Sequence, residues 1–368
     1  MNLFRLKLAP PFGDPSIIFL YPSCATMTTF VNAHRHVFLP RDEDEVDCSE
    51  GGGDDRFLGL RIGSIFIILA CATCGALFPV IAKRSSCLHL PRSAYAFAKY
   101  FGSGVIIATA FIHLLDPAIE ELGSPCLSAK WGEYPYALAL CMLSMFCVFL
   151  VELLALRWGT ARLRKLGLVQ ADPHGHGDGG KQKDQEEARS ESDLGIDIAG
   201  NSITEKVLAQ IVGVAILEFG VVLHSILIGL TLAVDQNFKI LFIVLIFHQS
   251  FEGLGLGSRL ALMKLEPKYH WVPYVGALVY GITTPVGIAA GLGVRTTYNP
   301  GTASASIVSG VLDALSAGIL LYTGLVELLA HEFLFNKEMM ESSGGRLAFA
   351  VLAMFLGCGI MALLGRWA

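Results

Sequence analysis

The sequence predicts an all-α membrane protein that crosses the bilayer eight times, and three observations carry the prediction. Of 368 residues, 53% are hydrophobic and only 16% are charged, where a soluble domain carries roughly a quarter. Mean hydropathy is +0.56. The charges that remain are clustered, leaving eight apolar segments near 58–82, 96–115, 135–157, 207–234, 238–260, 272–294, 304–330 and 347–365. Each is close to the ~20 residues a helix needs to span ~30 Å of hydrocarbon.

Residues 1–57 form an N-terminal segment, expected to be extracellular and largely disordered. It joins a short apolar patch (SIIFLYP, broken by Pro22) to the acidic run RDEDEVDCSEGGGDD. The patch is a weak signal peptide, and Met27 is an alternative start. Helices 1–3 fill 58–158. The first holds Cys71 and Cys74, a C-x-x-C inside an apolar helix, which reads as packing rather than redox chemistry. The second contains ATAFIHLLDPAIEE, with His113 and Asp116 on one face, and the third holds Glu152. Residues 159–205, including DPHGHGDGGKQKDQEEARSESD, are polar, Gly-rich and aperiodic, and are expected to be a disordered cytosolic loop.

Helices 4–8 fill 206–368. The fourth (EFGVVLHSILIG) carries Glu218, His224 and Ser225, and the fifth (HQSFEGLGLG) carries His248, Gln249 and Glu252. Gly253 and Gly257 make a G-x-x-x-G, which lets helix backbones approach. In the sixth, YGITTPVGIAAG places Thr283 and Thr284 before Pro285, whose ring frees a backbone carbonyl. The seventh carries Asp313, Glu327, His331 and Glu332. Counted at 3.6 residues per turn, Asp313, Glu327 and His331 return to nearly one face, a polar stripe through the membrane.

Loop charges orient the chain. Lys83, Arg84 and Arg92 flank the first loop, and Arg157, Arg162, Arg164 and Lys165 flank the third. Arg259, Lys264 and Lys268 are assigned to the fifth, and Lys337 and Arg346 to the seventh. The even loops hold only Lys130, Lys239 and Arg295. The positive-inside rule therefore places odd loops in the cytosol and both termini outside. Cys48 and Cys126 then share the oxidising side, as a disulfide or as two free thiols.

Ionisable side chains at membrane depth are costly and mark functional paths. Ser225 or Gln249 alone reads as an interhelical hydrogen bond worth about 1 kcal/mol. Glu218 and Glu152 are each open between a path residue and a paired neighbour. His248, Gln249 and Glu252, at i, i+1 and i+4, lie within an arc of about 100°, and His224 sits at similar depth on the preceding helix. Histidines and carboxylates on several helices point to a cation path. Nitrogen and oxygen donors without a thiolate suit zinc, and also ferrous iron. A membrane hydrolase fits poorly: HEFLF at 331 has Phe335 where HExxH needs histidine, and no G-x-S-G surrounds Ser225. A metal sensor would need a large ordered signalling domain. Nothing suggests nucleic-acid binding.

HSILIGLTLA and HQSFEGLGLGSRL, with ATAFIHLLDPAIEELG, ITTPVGIAAG and LDALSAGILLYTGLVELLAHEF, resemble the ZIP (Zrt-, Irt-like) divalent-metal transporters, in their fungal zinc-uptake branch, over about residues 56–368. The resemblance implies an eight-helix bundle with extracellular termini, a multi-pass protein of the plasma membrane or of an endosomal or vacuolar one. It implies import of Zn2+, with Fe2+, Mn2+ and Cd2+ as further candidates, and no resident cofactor. The implied ligands are His224, His248 and Glu252, with Ser225 and Gln249 beside them. Relatives with two ions bridge them through a glutamate one turn after the helix-four histidine; here that position is Ile228, which implies a single ion. His331 and Glu332 match an exit route, and His113 and Asp116 an outer route or second-helix contact. In HGHG, His174 and His176 either relay metal or have no role. Alternating access would move helices 1, 4, 5 and 6 against the rest. The implied partners are the ion and membrane lipid, and a homodimer is left open.

Overall fold

A computed structural model describes residue 48 and residues 56–85, 90–165, 191–263, 265, 267–295 and 302–367. Most of the N-terminal segment, His174 and His176 therefore lie outside the described residues. Eight helices are long and apolar enough to cross a membrane, and no strand occurs among the described residues. They are α1 (Leu58–Arg84), α2 (Arg92–Leu122), α3 (Tyr136–Lys165), α4 (Glu191–Val234), α5 (Phe238–Leu262), α6 (Val272–Val294), α7 (Ala303–Leu334) and α8 (Gly344–Leu364).

Two ends of the loop expected over 159–205 are helical instead: α3 continues to Lys165 and α4 begins at Glu191. Ala161, Arg162, Leu163, Arg164 and Lys165 are good helix formers, and propensity carries the turn past the apolar span. Residues 166–190 lie outside the described residues.

The helices fall into two groups. α1, α4, α5 and α6 pack mainly on one another; α2, α3, α7 and α8 form the other group, and α2 meets α5 along the seam. α2, α5 and α7 have 61% of their apolar windows buried, against 22% for α3 and 28% for α8. The first three are therefore central and the last two peripheral. Phe66, Phe146, Leu352 and Phe355 are exposed along the peripheral faces, as lipid contact requires.

Small residues make the centre dense. A Cβ on Gly257 would fall 2.1 Å from the Ala76 carbonyl oxygen, so the G-x-x-x-G of α5 is the surface on which α1 lies. At the seam, a Cβ on Gly102 would fall 2.1 Å from Gly255 Cα. Ala72, Ala76, Ala277, Ala317, Leu256, Leu320 and Tyr280 fill the core between these crossings.

Arg61 of α1 is fully buried. Its Nη1 donates to the carbonyls of Leu232 and Ala233 (3.1 and 3.0 Å) and its Nη2 to that of Asp235 (2.7 Å). The guanidinium also lies over the Phe238 ring, 4.6 Å from its centroid. It thus satisfies the orphan carbonyls at the end of α4 and fixes α1 to the α4–α5 turn. Thr302 caps α7 and Ser343 caps α8 through their hydroxyls. Cys48 and Cys126 are joined by a disulfide, the bridged alternative of the two, tying the segment before α1 to the α2–α3 connection.

Among the described residues, two stretches inside the spanning helices depart from α geometry: Thr109–Leu115 within α2 and Thr323–Leu334 within α7 are π-helical. Such wide turns concentrate at functional sites. The second alters the stripe expected on the seventh helix, because face counting at 3.6 residues per turn fails past Tyr322. Asp313 is buried beside Ser309 and Glu121, whereas His331 is exposed and packs edge-on against Phe335.

Candidate metal site

α4 and α5 leave the short α4–α5 turn antiparallel, so His224 and His248 face each other across the pair. His224 is 2% exposed, His248 0% and Glu252 1%. The two Nε2 atoms are 3.1 Å apart. Glu252 Oε1 is 3.4 Å from His248 Nε2 and 4.0 Å from His224 Nε2. One donor atom from each of the three lies within 4.8 Å of the others. Among the described residues, no other such group of three His, Cys, Asp or Glu is found. A tetrahedral ion with ligands at ~2.0–2.1 Å separates neighbouring donors by about 3.3 Å. Two of the three edges already have that length, and the third needs only a small rotation of Glu252.

The polar atoms around these donors are unsatisfied. Both Glu252 oxygens, His224 Nδ1, His248 Nδ1, Ser225 Oγ and Thr109 Oγ1 are buried without hydrogen-bond partners. Buried polar atoms are normally paired, so this concentration at one point is a cradle for something the protein itself does not supply. Thr109, on α2 beside Glu252, was not visible as a site residue in the sequence, where it is one small polar group in ATAFIH.

His113 approaches from α2. Its ring meets that of His248 edge-on with centroids 4.8 Å apart, and its Nε2 hydrogen-bonds with the Met361 carbonyl of α8 at 3.1 Å. Asp116, on the same helix, is exposed and does not join it. Gln249 is turned to α6: its amide NH2 donates to Thr284 Oγ1 (2.5 Å), and its Oε1 accepts from Tyr280 OH (2.6 Å). Both ends of the amide are taken, so in this conformation Gln249 braces α5 against α6. In the sequence, the only signal for Tyr280 is one phenolic hydroxyl in the stretch LVYGITTP.

The other polar residues form separate groups. Glu218 of α4 faces Gly276 of α6. Glu327 of α7 adjoins Glu152 of α3, which also takes the Tyr322 hydroxyl. Glu332 accepts from Lys99 Nζ of α2 at 2.5 Å. Arg259, expected in the fifth loop, is instead buried inside α5, where Nη2 donates to Ser103 Oγ of α2 at 2.6 Å. The helix runs on to Leu262, and Glu327 and Glu332 offset the charge.

The family model described as ZIP Zinc transporter matches residues 58–365. The chain belongs to this family. Its members are transporters rather than enzymes, and the eight apolar helices are their membrane-spanning bundle. The family includes Zinc-regulated transporter 1 of Saccharomyces cerevisiae, 42% identical over 334 residues that cover 84% of this chain and 88% of that one. Zinc-regulated transporter 1 of Schizosaccharomyces pombe is 39% identical, covering 92% and 94%. Zinc transporter 3 of Arabidopsis thaliana is 34% identical, covering 88% and 89%. These two yeast members match with higher identity than this plant member.

Proposed function

We propose that the protein imports zinc into the cytosol across the plasma membrane, carrying one ion at a time on His224, His248 and Glu252. The single observation behind this reading is the convergence of two imidazole nitrogens and a carboxylate oxygen, all buried, at the edge lengths of a tetrahedral dication site. The names of the relatives support zinc as cargo. So do the donors: borderline nitrogen and hard oxygen without thiolate bind a dication without trapping it.

The ion sheds water and takes imidazole and carboxylate in exchange. Ser225, Thr109 or a retained water completes the fourth position, and His113 stands against His248 on the opposite helix group. Movement of α1, α4, α5 and α6 against α2, α3, α7 and α8 then opens the site to each side in turn, the usual logic of carriers with a site near mid-membrane. The loop charges support extracellular termini, and so does the disulfide at the α2–α3 connection, since disulfides persist on the oxidising side.

Radiolabelled zinc uptake in zinc-starved yeast lacking its own importers tests the reading. Glu252→Ala is expected to abolish uptake at unchanged surface expression. Wild-type uptake by that variant would refute the site, and metal-independent behaviour of the wild type would refute transport.

A further inference from the structure

Outside the candidate metal site, one side-chain hydrogen bond between described residues crosses the seam between the two helix groups. Arg259 lies on α5 two turns beyond Glu252, on nearly the same face and about 10 Å along the axis at 1.5 Å per residue. Its Nη2 donates to Ser103 Oγ on α2 at 2.6 Å, and its Nε has no hydrogen-bond partner. The charged groups that act on the guanidinium are Glu332 and Glu327 of α7 and Lys99 of α2, and Lys99 is itself paired with Glu332 at 2.5 Å. The other side-chain hydrogen bonds described above stay inside one group: Arg61 with the α4–α5 turn, Gln249 with α6, His224 with His248, His113 with α8, and Lys99 with Glu332.

A guanidinium keeps its charge at any pH a cell reaches. Buried with so few of its donors used, it costs stability unless carboxylates hold it. Those carboxylates, Glu327 and Glu332, are acids that a dication leaving toward the C-terminal end of α5 would meet.

We propose that Arg259 is a tethered cation that latches the two helix groups at the cytosolic end of the seam and stands in for the ion at Glu327 and Glu332. This rests on the reading that ions leave by that end. Latched, the guanidinium adds its charge to that of Lys99 against the exit acids, so they do not trap the dication. When the α5 group shifts, Arg259 parts from Ser103 and the exit carboxylates are freed to guide the ion. Arg259 is a positioning residue, since it touches neither His224, His248 nor Glu252.

Backbone amide hydrogen exchange across residues 253–262 tests the latch, on the full-length protein in lipid nanodiscs without metal. Arg259→Met and Ser103→Ala each remove the cross-seam bond, and each is expected to speed exchange of this segment about tenfold, the weight of one charge-assisted hydrogen bond. Arg259→Lys keeps the charge and is expected to fall between. Should Arg259→Met fail to fold, Ser103→Ala removes the same bond by a single oxygen and carries the test alone. Exchange at the wild-type rate in the folded variants overturns the latch.

Zinc uptake by Ser103→Ala gives a second readout. The maximal rate per surface molecule should change while half-saturating zinc stays within about twofold, because the ligands lie two turns away. A raised half-saturating zinc with unchanged exchange would place Ser103 in the ion-binding step rather than in a latch and overturn the proposal. The exchange assay contains no metal, so failure of the zinc-import reading and failure of the latch give different results.

Discussion

Replacing Gly102 by alanine should impair transport without touching a ligand. The added Cβ would lie 2.1 Å from Gly255 Cα, whereas ordinary van der Waals contact begins at 3.4 Å. Gly255 Cα is helix backbone and a Cβ is fixed rigidly to the helix that bears it, so neither can swing aside, and α2 and α5 must part by about 1.3 Å at this crossing, the difference between 3.4 and 2.1 Å. α2 carries Thr109 and His113, and α5 carries His248 and Glu252, so the displacement falls across the candidate site. Overpacking of this kind costs about 1–3 kcal/mol, and a misplacement of about 1 Å at a reacting centre costs on the order of 100-fold in rate. Zinc uptake per surface molecule is therefore expected to fall about 10- to 100-fold in Gly102→Ala. Gly359→Ala is the control, because a Cβ there meets nothing within 4 Å. The assay is initial-rate uptake normalised to surface-labelled protein. Wild-type turnover in Gly102→Ala would show that the α2–α5 crossing does not set the site, and the reasoning would fail.

Arg61→Met should lower thermal stability rather than turnover: it strips donors from the carbonyls of Leu232, Ala233 and Asp235, and each buried carbonyl left unpaired costs about 1–3 kcal/mol. A melting temperature equal to wild type in detergent would contradict that role. Non-reducing mass spectrometry should recover a peptide pair linking Cys48 to Cys126, and finding both alkylated as free thiols would remove one support for the extracellular placement of the α2–α3 connection. Cadmium should compete with zinc uptake more strongly than manganese does, because imidazole donors favour the softer ion; the reverse order would point to an oxygen-rich site elsewhere.

Hydropathy and charge spacing were enough to read the eight spans, because a bilayer demands ~20 apolar residues per helix regardless of tertiary detail. They also showed which side chains are out of place in lipid. Which of those meet was only partly readable. His248 and Glu252 share a face by local geometry, and His224 sits at matching depth on the preceding helix. His113 approaches His248 only because α2 crosses α5 at a glycine pair, a tertiary fact with no local signal. The π turns at Thr109 and Thr323 leave no mark in the residue pattern, so the even stripe expected on α7 was displaced and His331 turned outward. Arg61 and Arg259 look like ordinary span-flanking charges in the sequence. The structure buries both because carbonyls at a helix end receive one and a hydroxyl and two acids receive the other.

X-ray absorption on the purified full-length protein loaded with one equivalent of zinc tests the central claim most directly. Two imidazole nitrogens and a carboxylate oxygen at about 2.0–2.2 Å are expected, with the imidazole signature lost in the His224→Ala, His248→Ala double variant. A sulfur shell at about 2.3 Å, or zinc held by the double variant as tightly as by the wild type, would contradict it.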